Sequence, residues 1–584
     1  MVTEDVSGDN DSVAGHNSDV VVLDVRPILE RGEEPFGTIM QTVASLDGRS
    51  MLLVAPFDPT PLQGVLSAQG FSYRSEHVSD TEWRVSIGVE DATPDGAAPG
   101  PGPGARPETA AVAESPYTIK SRTPSAPTSP TSSEQPSDAA SPDPMASTSP
   151  LSAVAMAMDP TANVPPAWLP LGFLAAAGAG LIGFGVATTI TADSAVIMPR
   201  HDHVLAAVHL GVLAFLSTAV LGAVHQFGPV VGGRPLRSVR AGLLTGVLFV
   251  SGAWLIPYSF AAGHPQLLQL GGVLATTAVV IAAWNLSRPL SATGKGAPIV
   301  GLRLAVVYLV ITAGFGVTYA FDRSHAWFPL LSDRVLAHAH LGLLGWLGLA
   351  YVAVAEKLWP MFLLAHRPHE RDGERAVWLV GAGAPAMTLG LLFSIPVLTA
   401  VGGLVVVSGL AFHLASLASV IRHRRRSLEL LHGFVLSSAA CLVIAVVAGV
   451  VAGLAPMDAD LRARLVVVEV FSLILWLTLA VIGHAHKIVP FISWSRLRDR
   501  GIVTGPDGRA LLFAHLVNEQ AARATLGLAV LGAGAGVFGA LSATSALVGV
   551  AGISLGLAGT VAMANLVAGP LLIIRWHHRQ PVVP

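Results

Sequence analysis

One helix-length apolar segment occurs three times in this chain at nearly equal intervals. HLGVLAFLSTAVLGAVHQFGP runs from His209 to Pro229, HLGLLGWLGLAYVAVAEKLWP from His340 to Pro360, and VFSLILWLTLAVIGHAHKIVP from Val470 to Pro490. The starts lie 131 and 130 residues apart, and each copy places its proline 20 residues after its first position. Such periodic self-similarity marks an internal repeat, in which one structural unit is used three times. At about 1.5 Å per residue each segment is long enough to cross roughly 30 Å of hydrocarbon. Two copies open on a histidine where the third has Val470. An ionisable side chain inside a membrane helix is costly, so His209 and His340 are candidate functional residues.

Composition agrees with a membrane protein. Of 584 residues, 52% are hydrophobic and 12% charged, and the mean hydropathy is +0.60, beyond the range of an ordinary soluble domain. No basic block is large enough for nucleic-acid binding. Cys441 is the only cysteine. That excludes intrachain disulfides, cysteine-rich zinc sites, iron–sulfur clusters and covalent haem attachment through CxxCH, so any haem must be held by histidine. The acidic start MVTEDVSGDNDSVAG has no apolar stretch, and no cleaved signal peptide is expected.

Four regions follow along the chain. Residues 1–19 read as a disordered N-terminus, 20–90 as a small α+β domain, 91–165 as a disordered linker rich in Pro, Ser and Ala, and 166–584 as the membrane domain. In the small domain, VVLDVRP is an expected strand, PFGTIMQTVASL a helix opened by Pro35, SMLLVAPF a strand and DPTPLQGVLSAQG a helix closed by Gly70; FSYRSEHVSD and TEWRVSIGV form a final pair of strands. From Ala167 onward 12 spans are expected, the seventh at residues 375–396. The fold class is therefore an all-α polytopic membrane protein with 12 transmembrane helices in a pseudo-threefold arrangement, preceded by a βαβαββ soluble domain. With the N-terminus inside, the connections and tail of the membrane domain place 20 Lys and Arg residues on the inner side and five on the outer. The positive-inside rule then places both termini in the cytoplasm of a multi-pass plasma-membrane protein.

The βαβαββ order resembles the small TusA/SirA-like sulfur-carrier fold, and more closely a related family of domains of unknown function with an LDVR start and a GF-Y…WRV ending. Sulfur carriers need a cysteine just after the first strand, and this chain has Arg26-Pro27 there. Without a thiolate, persulfide chemistry is excluded. A docking or regulatory role is expected instead.

The repeated segments are spans 2, 6 and 10 of a four-helix unit. This arrangement, with His338-Ala339-His340 followed by Pro360, resembles the core subunit of the haem-copper oxidases and nitric oxide reductases, whose 12 helices form three arcs. Side chains two apart on a helix diverge by about 200°, so one His-x-His can serve two sites. The resemblance implies a low-spin haem b held by His209 and His340, with His338 facing a second site that could carry haem, metal or nothing. In that family a copper site takes a His-His pair from the helix after the sixth; span 7 here has no histidine, so oxygen reduction at such a copper is not expected. NnrS-type membrane haem proteins suggest nitric oxide as a context by analogy.

A second set lies toward the inner ends. His225, Glu356 and His486 each stand 16 residues after the repeat's first position, with His484 nearby and His413 and His432 on spans 8 and 9. Two histidines and a carboxylate could hold a first-row divalent metal or form a proton relay. The expectation is a haem-b-binding membrane protein in redox or nitric oxide chemistry, a possible haem-dependent oxidoreductase, with an electron donor or partner subunit in addition to the lipid bilayer. The alternative is a transporter or gas or metal sensor that uses the histidines without catalysis.

Overall fold

The computed structural model describes residues 20–30, 35–46, 49–56, 66, 71–79, 82–89, 164–293, 296–365, 370–505, 508 and 510–578. The expected disordered N-terminus, nearly all of the linker and, apart from Leu66, the helix expected over DPTPLQGVLSAQG lie outside these residues. The chain divides into two compact units, Met1–Pro144 and Met145–Pro584.

In the first unit β1 (Val20–Asp24) pairs in parallel with β2 (Ser50–Ala55), through register partners such as Val22 and Leu52. β3 (Phe71–Ser79) and β4 (Glu82–Val89) are antiparallel, and β4 also pairs with β2, so the sheet order is β1-β2-β4-β3. Alternation sends Met51, Leu53 and Ala55 to one face with Val85 and Ile87, where they meet Ile39, Val43 and Leu46 around the helix α2 (Phe36–Ala44) and Leu66. The VVLDVRP segment is not strand throughout. β1 stops at Asp24 and a short helix α1 (Arg26–Glu30) begins. Asp24 Oδ1 accepts the Arg26 backbone N–H at 2.9 Å, which turns the chain, and Pro27 has the fixed φ that suits a first helical turn. The Arg26 guanidinium also donates to Asp24 at 2.7 Å and to Glu82 of β4 at 3.0 Å.

The second unit carries 12 helices long and apolar enough to cross a membrane. We number them as spans 1 to 12: Trp168–Ile190, Asp202–Gly232, Val239–Ala262, Pro265–Leu290, Gly296–His325, Ser332–Leu363, Arg371–Leu392, Pro396–Arg422, Leu430–Leu454, Ala459–Asp499, Glu519–Ser542 and Ser545–Arg575. Span 7 ends at Leu392, short of the expected Pro396, because that proline takes the first turn of span 8, where its missing N–H costs nothing. Spans 2, 6 and 10 have more than three fifths of their apolar windows buried, against half or less in every other span. The repeated helices are thus the centre of the unit.

The threefold repeat is visible in its contacts. A side chain at Gly252 would meet the backbone of Gly271 and Ala275, one at Gly383 that of Gly402 and Val406, and one at Gly532 the Ala551 carbonyl. These are equivalent close approaches of the third and fourth helices of each repeat, made possible by small residues, which is how helices associate when lipid offers no hydrophobic drive. The step from Gly383 to Gly532 is 149 residues, whereas that from His340 to Val470 is 130. The extra residues belong to the long tenth span and the segment that leads to Glu519.

Two expectations follow for the small unit. Leu53 is fully buried, so Leu53→Ala should cost about 2–5 kcal/mol, read as the loss of a cooperative thermal transition in residues 1–95. Hydrogen bonds from Arg26 hold the Asp24 carboxyl below its ordinary value of 3.8. Stability from this pair is therefore fully present above the ordinary value and lost as pH falls through the lowered one, so an acid melting series should show that loss in the wild type and not in Asp24→Asn.

Candidate functional site

A cavity of about 1080 Å³ lies at the ends of spans 2, 6 and 10 that carry the repeat's first positions. It extends from Arg200, Asp460, Arg462 and Arg464 down to Ser217 and Trp346, and its walls are otherwise mainly aliphatic and aromatic. His209 and His338 line it. They come from different repeats.

The two central helices change geometry here. Immediately after His209, Leu210–Ser217 is π-helical, and immediately after His340 so is Leu341–Gly348. The third copy, which has Val470 at this position, is α-helical throughout Ala459–Asp499. A π turn widens the helix and rotates everything beyond it, and such turns are concentrated at functional sites. Thr218 Oγ1 donates to Leu213 O at 2.8 Å across the first of them. The two π segments are joined by Trp346 Nε1, which donates to Ser217 Oγ at 3.2 Å.

Hydrogen bonding sorts the histidines. His209 Nδ1 lies 2.7 Å from Leu205 O, an acceptor, so Nδ1 carries the proton and the Nε2 lone pair is uncommitted. His338 has a buried Nδ1 with no hydrogen-bond partner, and its ring stands edge-on to Tyr319 at 5.8 Å. His340 is turned to the other side of span 6. Its Nδ1 is 2.8 Å from Leu336 O and its Nε2 3.3 Å from Glu469 Oε1 on span 10. With acceptors at both nitrogens, a proton lies between Nε2 and Glu469, and no lone pair of His340 is free. The resemblance implies a pairing of His209 with His340; the structure brings His209 and His338 to one cavity and ties His340 to Glu469. Glu469 is not among the residues that the repeat singles out, although a lone carboxylate in VVVEVFSL is a visible signal.

The second set is divided among three places. His225 stacks on Phe173 of span 1, with ring centroids 5.6 Å apart and planes at 20°. His486 stacks in the same way on Phe434 of span 9, at 5.6 Å and 19°. Both pairs are 52 residues apart in sequence and each is internal to its repeat. Glu356 turns instead to Ser416 and His413 of span 8, and His484 faces Tyr351. Among the described residues no group of three or more His, Cys, Asp or Glu is arranged to hold a metal ion.

Around the cavity rim, polar contacts cross between repeats. Arg323 donates to both oxygens of Asp202 at 2.9 and 2.7 Å, and Arg200 donates to Ser332 Oγ at 2.7 Å.

Residues 22–89 match a family described as an uncharacterized conserved protein (DUF2249). This agrees with the domain-of-unknown-function likeness read from the LDVR start and WRV ending, and the match stops short of the membrane unit. No curated protein matches the chain. In the small unit Arg26, which follows the first strand, is fixed by Asp24 and Glu82.

If His340 and Glu469 share a proton, their removal should be coupled. Each single alanine variant leaves a polar group stranded, while the double variant strands neither. The double should lose less stability than the sum of the singles, with a coupling of about 0.5–3 kcal/mol, measured by unfolding in detergent micelles.

Proposed function

We propose that the membrane unit is a haem-b protein whose iron is held in the cavity between the first and second repeats by His209 and His338. The observation that carries this reading is the presence of two imidazoles from separate helices in one largely apolar cavity, one with an uncommitted Nε2 and one with an orphaned Nδ1. Buried polar atoms without partners call for a ligand, water or ion, and imidazole suits iron. At about 1080 Å³ the volume is slightly above the roughly 300–1,000 Å³ typical of small-molecule and cofactor sites. Arg200, Arg462 and Arg464 supply cations for a cofactor's anionic side groups.

Haem would supply reversible one-electron redox chemistry, and it would bind a small diatomic gas only when one of the two imidazoles leaves the iron. The chain's own residues then have distinct tasks. The Leu205 carbonyl fixes the His209 tautomer, Trp346 and Ser217 close the cavity floor, and the Glu469 bond holds His340 away from it. A haem-dependent oxidoreductase acting on nitric oxide or another small uncharged molecule fits this arrangement, with the electron supplied by a donor or partner subunit. The cytoplasmic small domain would serve for docking or regulation.

The absorption spectrum of the purified full chain tests the proposal. We expect a reducible b-type Soret band that is lost in His209→Ala and in His338→Ala and retained in His340→Gln, which keeps a hydrogen-bonding partner for Glu469. Loss in His340→Gln with retention in His338→Ala would restore the pair implied by the resemblance. A folded, colourless wild type would overturn the haem reading and favour a transporter or sensor. Orientation is tested separately: cysteines at Ser332 and Arg424 should react with an impermeant reagent from the outside and the inside respectively, and the reverse would refute cytoplasmic termini.

A further inference from the structure

A second polar cluster, remote from the haem proposal and independent of it, lies toward the Pro360 and Pro490 ends of spans 6 and 10, with residues of spans 8 and 9. Glu356, on span 6, is 5% exposed. Its Oε2 accepts a hydrogen bond from Ser416 Oγ at 3.0 Å, and its Oε1 is 3.5 Å from Nδ1 of the fully buried His413. Gly373 of span 7 lies against the carboxylate, where a Cβ would collide with it. Arg375 of the same span is drawn away over Phe412, 5.3 Å from the ring centroid, and Lys357 points outward.

From this pair a line of rings leads to the edge of the protein. Tyr351 stands edge-on to His413 at 5.6 Å and to His484 of span 10 at 5.9 Å. His484 is 6.5 Å from Trp359, and Trp359 is 5.7 Å from His432 at the start of span 9. His432 adjoins Glu429, whose carboxylate pairs with Lys487 at 2.5 Å at the exposed edge. Along this line Tyr351 Oη, His413 Nε2, His484 Nε2, Trp359 Nε1 and His432 Nε2 are all buried without a hydrogen-bond partner. Inside a membrane, buried polar groups of this kind call for bridging water.

Their donor and acceptor roles alternate in a usable order. His432 Nδ1 accepts the Glu429 N–H at 2.6 Å, so its Nε2 bears the proton and donates. His484 Nδ1 lies 2.7 Å from Ala480 O, so its Nε2 accepts. The Tyr351 hydroxyl can do both. A buried carboxylate and imidazole at this distance are least costly together when their net charge is zero, which requires one shared proton.

We propose that Glu356 and His413 form a buried proton-binding site, loaded from the Glu429–Lys487 edge through His432, His484, Tyr351 and bridging water. Transfer within the site breaks the carboxyl O–H bond and forms the imidazole N–H bond, or the reverse, with no net charge change. Net uptake takes its proton from water at the edge.

Infrared spectroscopy of the full chain in phosphatidylcholine vesicles, switched from H2O to D2O buffer, tests this. We expect a deuterium-sensitive carboxyl band that is absent in Glu356→Gln, shifted in His413→Gln and shifted in Ser416→Ala, which removes one donor to the carboxylate. Tyr351→Phe keeps the ring and removes the hydroxyl, and should slow exchange of that band several-fold without moving it. If Glu356→Gln does not fold, Ser416→Ala carries the assignment. Absence of a band that responds to Glu356, His413 or Ser416, or exchange in Tyr351→Phe as fast as in wild type, overturns the proposal.

Discussion

The centre of the membrane unit depends on large aromatic side chains filling the space between three helices that have no hydrophobic force to hold them together in lipid. Phe215, Trp346 and Trp476 occupy equivalent positions of spans 2, 6 and 10, and all three are buried. Trp346 reaches across to Ser217, and Trp476 packs where a side chain on Gly348 would stand. Ser217 and Gly348 are themselves equivalent, 131 residues apart. At these two boundaries one repeat offers a bulky residue and its neighbour a small one, and dispersion between close-packed surfaces replaces the missing solvent effect.

On this frame several polar contacts join one repeat to the next. His209 and His338 line one cavity at the first boundary, His340 and Glu469 meet across the second, and Arg323–Asp202 and Arg200–Ser332 join the first two repeats at the rim. Glu356 is different because its partners, Ser416 and His413, belong to its own repeat. Its counterparts in the other repeats are the stacked histidines His225 and His486. Three copies of one scaffold have thus been given unlike chemistry, with the exchanges concentrated at a few positions of the central helices.

Much of this is legible in the sequence, because membrane helices announce themselves by length and apolarity and because the 131- and 130-residue spacing is enough to define the repeat. The strand order of the small unit is readable in a similar way, from turn residues and alternation. Side-chain partners are less so. The His338-Ala339-His340 spacing shows that the two rings diverge, but periodicity does not say which neighbour each one meets. The π turns after His209 and His340 have no sequence signature, since LGVLAFLS and LGLLGWLG would serve equally well as α-helix. Equal positions in the repeat likewise suggest one layer of His225, Glu356 and His486, whereas each is committed to a nearby partner. The end of β1 at Asp24 is hidden in the sequence because a side-chain acceptor, not an apolar pattern, turns the chain there.

The central claim is that the repeat boundary between spans 2 and 6 builds one ligand cavity from His209 and His338 while span 10 takes His340 through Glu469. A side-chain-resolution electron cryo-microscopy map of the full chain in lipid nanodiscs tests it most directly. The account predicts π-helical turns after both histidines, a planar cofactor density between the His209 and His338 rings, and continuous density from His340 to Glu469. A map in which His340 faces His209 across that cavity, or in which the two central helices are α-helical and the cavity is filled by side chains, would contradict it.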